Sequence, residues 1–201
     1  MKRMKDTIWR AFILVMMMTV LCSLIYPTMI TTVARVFFRE KANGSIIEVN
    51  GKKYGSELLG QQFTGDEYLW GRIMIMNTKD FQDAKGNMLM YASPSNISTT
   101  SEEYANLVEE RVNRIISVTS TDSTNVIPVD LVTTSGSGLD PHISYAAAEY
   151  QIERIAEARN ISYRQVQKII DQYTTNRWIG IVGEKVVNVL EVNLSLDGIL
   201  D

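Results

Sequence analysis

The spacing of apolar and polar positions changes several times along the chain, and each change marks an element. From Ala11 to Ala34, 24 residues run without a charge between Arg10 and Arg35. At the rise of an α-helix this run reaches roughly 36 Å, enough to cross a ~30 Å hydrocarbon core with some tilt. No later stretch matches its length, so it predicts one transmembrane helix over 11–34. A cleaved signal peptide competes with that reading. Its apolar stretch would be only about 7–15 residues, and the nearest cleavage-like site, Thr32-Val33-Ala34, is a poor match.

Beyond the anchor the elements shorten. Ser45 to Val49 and Lys52 to Tyr54 flank Asn50-Gly51, the favoured pair for a type I′ hairpin turn. Tyr68-Leu69-Trp70 reads as the edge of a core. Ser93 to Ser101 is a polar loop that ends at a helix start, with Thr100 or Ser101 as N-cap and Glu102 and Glu103 in the first turn, where the helix dipole favours anions. Leu107, Val108, Val112, Ile115 and Ile116 share one helical face. A loop over Thr119 to Asn125 follows, and Ile127 to Val132 reads as extended because of Pro128.

Two helices are predicted next. One runs from about Ser144 to Arg159. The other opens at Ser162 with Gln165 three residues on, a capping-box pattern, and lays Val166, Ile169, Ile170 and Tyr173 on one face. Trp178 to Val182 reads as a short strand turned by Gly183-Glu184-Lys185. Leu190 to Leu196 alternates apolar and polar residues, as a half-buried strand does. Strands near both ends with helices mostly between give an α+β class. The predicted architecture is one N-terminal transmembrane helix followed by a single extracytoplasmic mixed α/β domain, with 1–10 cytoplasmic, 11–34 in the membrane and 35–201 outside.

The outside placement rests on basic residues at the helix ends. Lys2, Arg3, Lys5 and Arg10 precede the run, while Arg35, Arg39 and Lys41 follow it. The short N-terminal segment stays in the cytoplasm. Inside the anchor, Tyr26-Pro27 predicts a kink. Thr28, Thr31, Thr32 and Ala34 nearby suit close packing on a partner helix.

Composition narrows the function classes. Of 20 Lys and Arg and 23 Asp and Glu, 15 and 22 lie after residue 35, a net charge of −7. Such a surface argues against nucleic acid, which needs clustered cations. The single cysteine, Cys22, lies in the anchor, so the following domain has no disulfide, thiolate zinc ligand or thiol nucleophile. One histidine, His142, excludes a multi-histidine metal site. The Asn-x-Ser sequons at Asn43, Asn96, Asn160 and Asn193 read as chance.

Ser135-Gly136-Ser137-Gly138-Leu139-Asp140-Pro141-His142-Ile143-Ser144 is the most unusual stretch of the domain after the anchor. Glycines permit close backbone approach and serines supply hydroxyls. Asp140-Pro141 resembles an N-cap with proline at N1, and a loop ending at a helix N-terminus can bind an anion. No lysine completes a phosphate loop, and no Rossmann fingerprint is present. Ser135, Asp140 and His142 are the types of a nucleophilic triad, but their closeness in sequence argues against that geometry. The candidate contact residues are therefore Ser135, Gly136, Ser137, Gly138, Asp140 and His142, for a partner or a nucleotide. Tyr26, Pro27, Thr28 and Thr31 are the candidates for helix packing.

Several of these stretches are collinear with one family. Tyr26-Pro27, Ala42-Asn43-Gly44-Ser45, Gly55 to Phe63 (GSELLGQQF), Gly71-Arg72, Pro128 to Ser144 (PVDLVTTSGSGLDPHIS), Gly183-Glu184, Val187 to Leu190 and Asn193 to Asp197 follow its motifs in order. The chain thus resembles the C subunit of the Kdp potassium-transporting P-type ATPase. It departs from that pattern at Ile73 and Tyr145, where the family commonly has proline, and at Ser93 to Asn96, where it is often glycine-rich.

The resemblance implies a non-catalytic subunit of an ATP-driven potassium importer. It implies partnership with a potassium-binding, channel-like subunit and an ATP-hydrolysing subunit, and a catalytic-chaperone role toward the latter. It also leaves ATP as the one candidate small ligand, with nucleotide binding through Ser135–Ser144 as the alternative reading. A domain delivered outside the cell could not meet cytoplasmic ATP directly, which favours stabilising the assembly or guarding the potassium entrance.

Overall fold

The computed structural model describes residues 2–74, 76–77, 91–92, 95–119 and 126–200. The chain divides into two compact units, Met1–Ile46 and Ile47–Asp201.

The first unit is helical. α1 (Lys2–Val20) passes through a π-helical turn (Leu21–Ile25) into α2 (Tyr26–Phe37), and the short α3 (Arg39–Ala42) follows. Arg3–Phe37 is one helix long and apolar enough to cross a membrane, so it overruns the uncharged stretch at both ends. The cause of the π-turn is Pro27, which lacks an N–H and would clash with the carbonyl four residues back in a regular helix. Widening the preceding turn relieves that clash, and the Tyr26 N–H accordingly reaches back five residues to the Leu21 carbonyl. The Thr32 hydroxyl donates to the Thr28 carbonyl of its own helix at 2.7 Å.

The second unit opens with the hairpin of β1 (Ile46–Val49) and β2 (Lys52–Ser56). Asn50 and Gly51 adopt φ of 53° and 77°, the two positive values a type I′ turn needs. β3 (Met76–Asn77) pairs antiparallel with β4 (Tyr91–Ala92). α4 (Glu102–Val118) starts at Ser101, whose hydroxyl accepts from the Tyr104 N–H. Of its predicted apolar face Ile115 is buried, whereas Ile116 is exposed. Residues 93–94 and 120–125 of the two predicted loops lie outside the described residues.

Three expectations fail between 127 and 159. Val129–Leu131 is a 3₁₀ turn, so the extended reading holds only up to Pro128. His142–Ser144 forms a strand, β5, and Asp140 is not a helix N-cap. The helix begins four residues later, capped by the Ser144 hydroxyl on the Ala147 N–H, and breaks at Tyr150-Gln151 into α5 (Tyr145–Glu149) and α6 (Ile152–Arg159). α7 (Tyr163–Gln172) carries the predicted capping box at Ser162 and Gln165, with Val166 and Ile170 buried.

The C-terminal end departs most. A strand β6 (Thr174–Thr175) and a strand β7 (Val186–Asn188) pair antiparallel, and β5 lies on the other side of β7, giving the order β5-β7-β6. Trp178 to Val182 is no strand but a tight turn closed by a single bridge between its ends. Residues 189–196 are α8 (Val189–Leu196), not an alternating strand. Val189, Leu190, Val192, Asn193 and Leu194 are all buried, so the helix is covered nearly all round and shows no 3.6-residue stripe. Asn188 caps it by accepting from the Glu191 N–H.

The core gathers Leu69 and Trp70, Ile115 of α4, Ala147 and Ala148 of α5, Ile152 and Ile155 of α6, Val166 and Ile170 of α7, Val187 of β7 and Val192 of α8. The class is α+β, as the pattern predicts.

Candidate functional site

Leu69 and Trp70 run through this core without a strand partner, so their backbone groups need another source of hydrogen bonds. Two buried amide side chains supply it. Asn193 accepts from the Leu69 N–H at 2.7 Å and donates to the Leu69 carbonyl at 2.9 Å. Gln151 does the same for Trp70, at 2.8 and 3.0 Å. Each amide thus imitates one residue of a neighbouring strand.

Arginines surround the Trp70 ring. The guanidiniums of Arg154, Arg111 and Arg114 lie 4.0, 5.0 and 5.3 Å from its centroid. Arg154 is buried and donates to the Asp66 and Tyr68 carbonyls and to Gln151. Burial, despite the nearby Asp66 carboxylate, pulls its pKa down to about 10. Sequence reading identified none of these cations; their spacing on α4 and α6 carries no motif.

The serine-glycine loop sits against the Gly55–Phe63 segment. The Gly60 N–H donates to the Leu139 carbonyl at 2.8 Å. A Cβ on Gly60 would stand 2.8 Å from the Asp140 carbonyl oxygen, which explains a glycine in that motif. Four of the loop's backbone donors are spent internally. The Gly138 N–H goes to the Ser135 carbonyl, Leu139 to the Ser137 hydroxyl, Asp140 to the Ser135 hydroxyl and His142 to the Asp140 carboxylate. Ser135 and Gly138 are buried, while Gly136 and Ser137 are exposed. The loop gives way to β5 rather than to a helix, so the geometry of an anion site at a helix start is absent here.

Ser135, Asp140 and His142 do not form a relay. The His142 Nδ1 lies 3.7 Å from Asp140, but the Ser135 hydroxyl pairs with Ser137 and with the Asp140 N–H. Asp140 instead faces Arg72 at 3.7 Å. Arg72 bridges on to Asp130 at 2.9 Å, and Asp130 accepts the Ser144 N–H at 2.8 Å. Burial alone would raise the Asp130 pKa; the Ser144 hydroxyl and N–H and the Arg72 charge outweigh it and hold the carboxyl below its usual value. One arginine thus holds the loop at Asp140 directly and at the Ser144 N–H through Asp130. No cluster of metal-ligating side chains occurs among the described residues.

Two of the three departures from the family pattern have local readings; the third, Ser93 to Asn96, lies partly outside the described residues. The Ile73 N–H donates to the Thr133 carbonyl, a bond proline could not make. Tyr145 is the first residue of α5, a position where proline is favoured.

The turn after β6 is unlike the rest of the surface. Trp178, Ile179, Ile181 and Val182 are 71, 72, 81 and 58% exposed. The Gly180, Ile181 and Val182 N–H groups donate back to the carbonyls of Arg177 and Trp178, and the Trp178 N–H reaches the Val182 carbonyl. Its base is tied by an Arg177–Glu184 pair at 3.0 Å.

Comparison with known proteins settles which family this geometry belongs to. Residues 8–198 match the family model described as the K+-transporting ATPase, c chain. The chain belongs to the KdpC family. A potassium-transporting ATPase KdpC subunit of Clostridium perfringens is 62% identical over 95% of the chain and 96% of its own length. Subunits of the same name from Clostridium botulinum and Paraburkholderia xenovorans are 54% identical over all of both chains and 41% identical over 96% and 97%. The resemblance read from the motifs is therefore correct, and KdpC membership makes the chain an accessory subunit of the Kdp P-type ATPase, not its catalytic enzyme. One apolar N-terminal helix fits a membrane-bound, single-pass subunit.

Proposed function

We infer that this chain stabilises the assembly of a potassium-importing ATPase and assists its ATP-hydrolysing subunit from outside the cytoplasm. The observation that carries the reading is the near full-length family match together with a single anchor helix. In this reading residues 11–34 span the bilayer and 35–201 stand on the outer side. Tyr26, Pro27, Thr28 and Thr31 pack on helices of the channel-like, potassium-binding subunit, and the chain also meets membrane lipid. Ser135 to Ser144, held in shape by Arg72, and the apolar turn at 178–182 offer rigid surfaces for partner subunits. The net charge of −7 raises the local cation concentration modestly within a Debye length of ~8 Å.

Nucleotide binding through Ser135–Ser144 is the weaker reading, because the Gly138, Leu139 and Asp140 N–H groups already have acceptors within the loop and the loop leads into a strand rather than a helix. The test is deletion of the chain in cells grown at limiting potassium, with protease added outside intact cells of the parent. Loss of high-affinity uptake and cleavage within 47–201 are expected. Normal uptake would overturn the assembly role, and protection of the domain would overturn its placement.

A further inference from the structure

The π-turn in the N-terminal helix leaves one backbone carbonyl without a donor from its own chain. Two regular donors lie within reach of the Cys22 carbonyl: the N–H four residues on and the N–H five residues on. The first belongs to Tyr26 and donates to the Leu21 carbonyl instead. The second would belong to Pro27, which has none. No side chain of the same helix replaces them. A serine or threonine hydroxyl reaches the carbonyl three or four residues back, as Thr19 does to Val15 at 2.8 Å and Thr32 to Thr28 at 2.7 Å. The places three and four after Cys22 hold Ile25 and Tyr26, neither of which can donate that way. Position makes the loss costly. Cys22 and Ser23 are the middle pair of the uncharged run from Ala11 to Ala34. Roughly 17 Å of helix separates Cys22 from either end of that run, so water at the bilayer surface is out of reach. A backbone polar group in hydrocarbon must find a partner inside the protein assembly. No residue of the π-turn is buried within the chain, so the turn is open to a neighbour.

We propose that the Cys22 carbonyl accepts a hydrogen bond at the bilayer midplane from a hydroxyl or amide side chain on a transmembrane helix of another subunit of the assembly. This rests on the reading that residues 11–34 span the bilayer and pack on partner subunits. The donor comes from a spanning helix because such a helix brings a polar side chain to this depth while keeping its own backbone groups paired. It comes from another subunit rather than from a second copy because the family match makes this chain one component of a larger complex. Pro27 then does more than bend the helix. It removes one donor, and the π-turn ahead of it commits the other to Leu21. Among apolar helix surfaces a single polar pairing of this kind fixes the depth and rotation at which they meet, and so the register in which Tyr26, Thr28 and Thr31 pack.

Cys22 is the only cysteine in the chain, so cysteine isotope-labelled at its carboxyl group marks this one carbonyl. The test places the labelled full chain in lipid nanodiscs, alone or assembled with unlabelled ATPase subunits purified from cells that lack the chain, and records the infrared band of the label. A hydrogen bond weakens the C=O bond and lowers its stretching frequency. The band should therefore lie lower in the complex than in the chain alone. Pro27→Ala restores the missing N–H and lets the Tyr26 N–H return to Cys22. In that variant the band should already lie low in the chain alone and move little on assembly. A wild-type band as low in the chain alone as in the complex, or equal in the two isolated chains, means that the carbonyl is paired without a partner subunit and overturns the proposal. A band that does not move in a complex that still co-purifies also overturns it and leaves the assembly role standing. Failure of the wild-type chain to co-purify overturns the assembly role as well.

Discussion

Single residues here replace the regular hydrogen bonding that a strand would supply. Leu69 and Trp70 are nearly fully buried yet belong to no strand. Asn193 is fully buried and gives both its amide groups to Leu69. Asn193→Ala removes that partner and leaves an N–H and a carbonyl stranded in the core. Each stranded group costs about 1–3 kcal/mol, so the variant should lose about 2–6 kcal/mol of stability. Urea denaturation of the detergent-solubilised chain measures it; a loss under about 1 kcal/mol would mean that water reaches Leu69. The same residue shows how a sequence can mislead. In Leu-Glu-Val-Asn-Leu-Ser-Leu, Asn193 reads as an outward-facing polar residue of a strand. Only a partner 124 positions away makes a buried asparagine favourable, and no local pattern encodes that distance.

At the scale of elements, what was legible is what local chemistry decides. The Asn50-Gly51 turn, the Ser101 cap, the Ser162–Gln165 capping box and the long apolar helix each follow from residues within a few positions of one another. The missed elements depend on distant partners. β5 and β6 are three and two residues long and exist because β7 pairs with both. The serine-glycine loop was found by its composition, but its role as a clamped loop depends on Arg72 and Asp130, far apart in sequence. The turn at 178–182 reads as a strand from sequence because apolar residues usually mark burial, whereas these side chains are exposed. An uncharged tip with a tryptophan, its backbone already hydrogen-bonded, is what the centre of a subunit interface requires. Trp178→Ala with Ile181→Ala should leave the melting temperature of the isolated chain within a few degrees. It should markedly reduce co-purification with the ATPase subunits. Undiminished co-purification would remove this turn from the interface.

At the scale of the whole chain, the Arg72 crossing joins segments that would otherwise be independent. Asp130 belongs to the 3₁₀ turn, Ser144 to the start of α5, Asp140 to the serine-glycine loop and Arg72 to the segment after Trp70. This coupling makes stability depend on acid in a defined direction. The folded Asp130 carboxyl has a pKa below its usual value, and the unfolded value is near 3.9. Folding therefore favours the ionised form. Its contribution is fully present above about pH 4 and disappears as pH falls through the lower folded value. Asp130→Asn cannot ionise, so this part of the acid dependence should vanish. The variant also turns the charged acceptor of the Ser144 N–H and Arg72 into a neutral one, a loss of about 1–3 kcal/mol at neutral pH. Chemical denaturation between pH 3 and pH 7 should therefore give two curves that lie apart at neutral pH and approach each other in acid. Curves that stay parallel across that range would show that Asp130 titrates alike in the folded and unfolded chain, and that Arg72 does not couple the loop to the core.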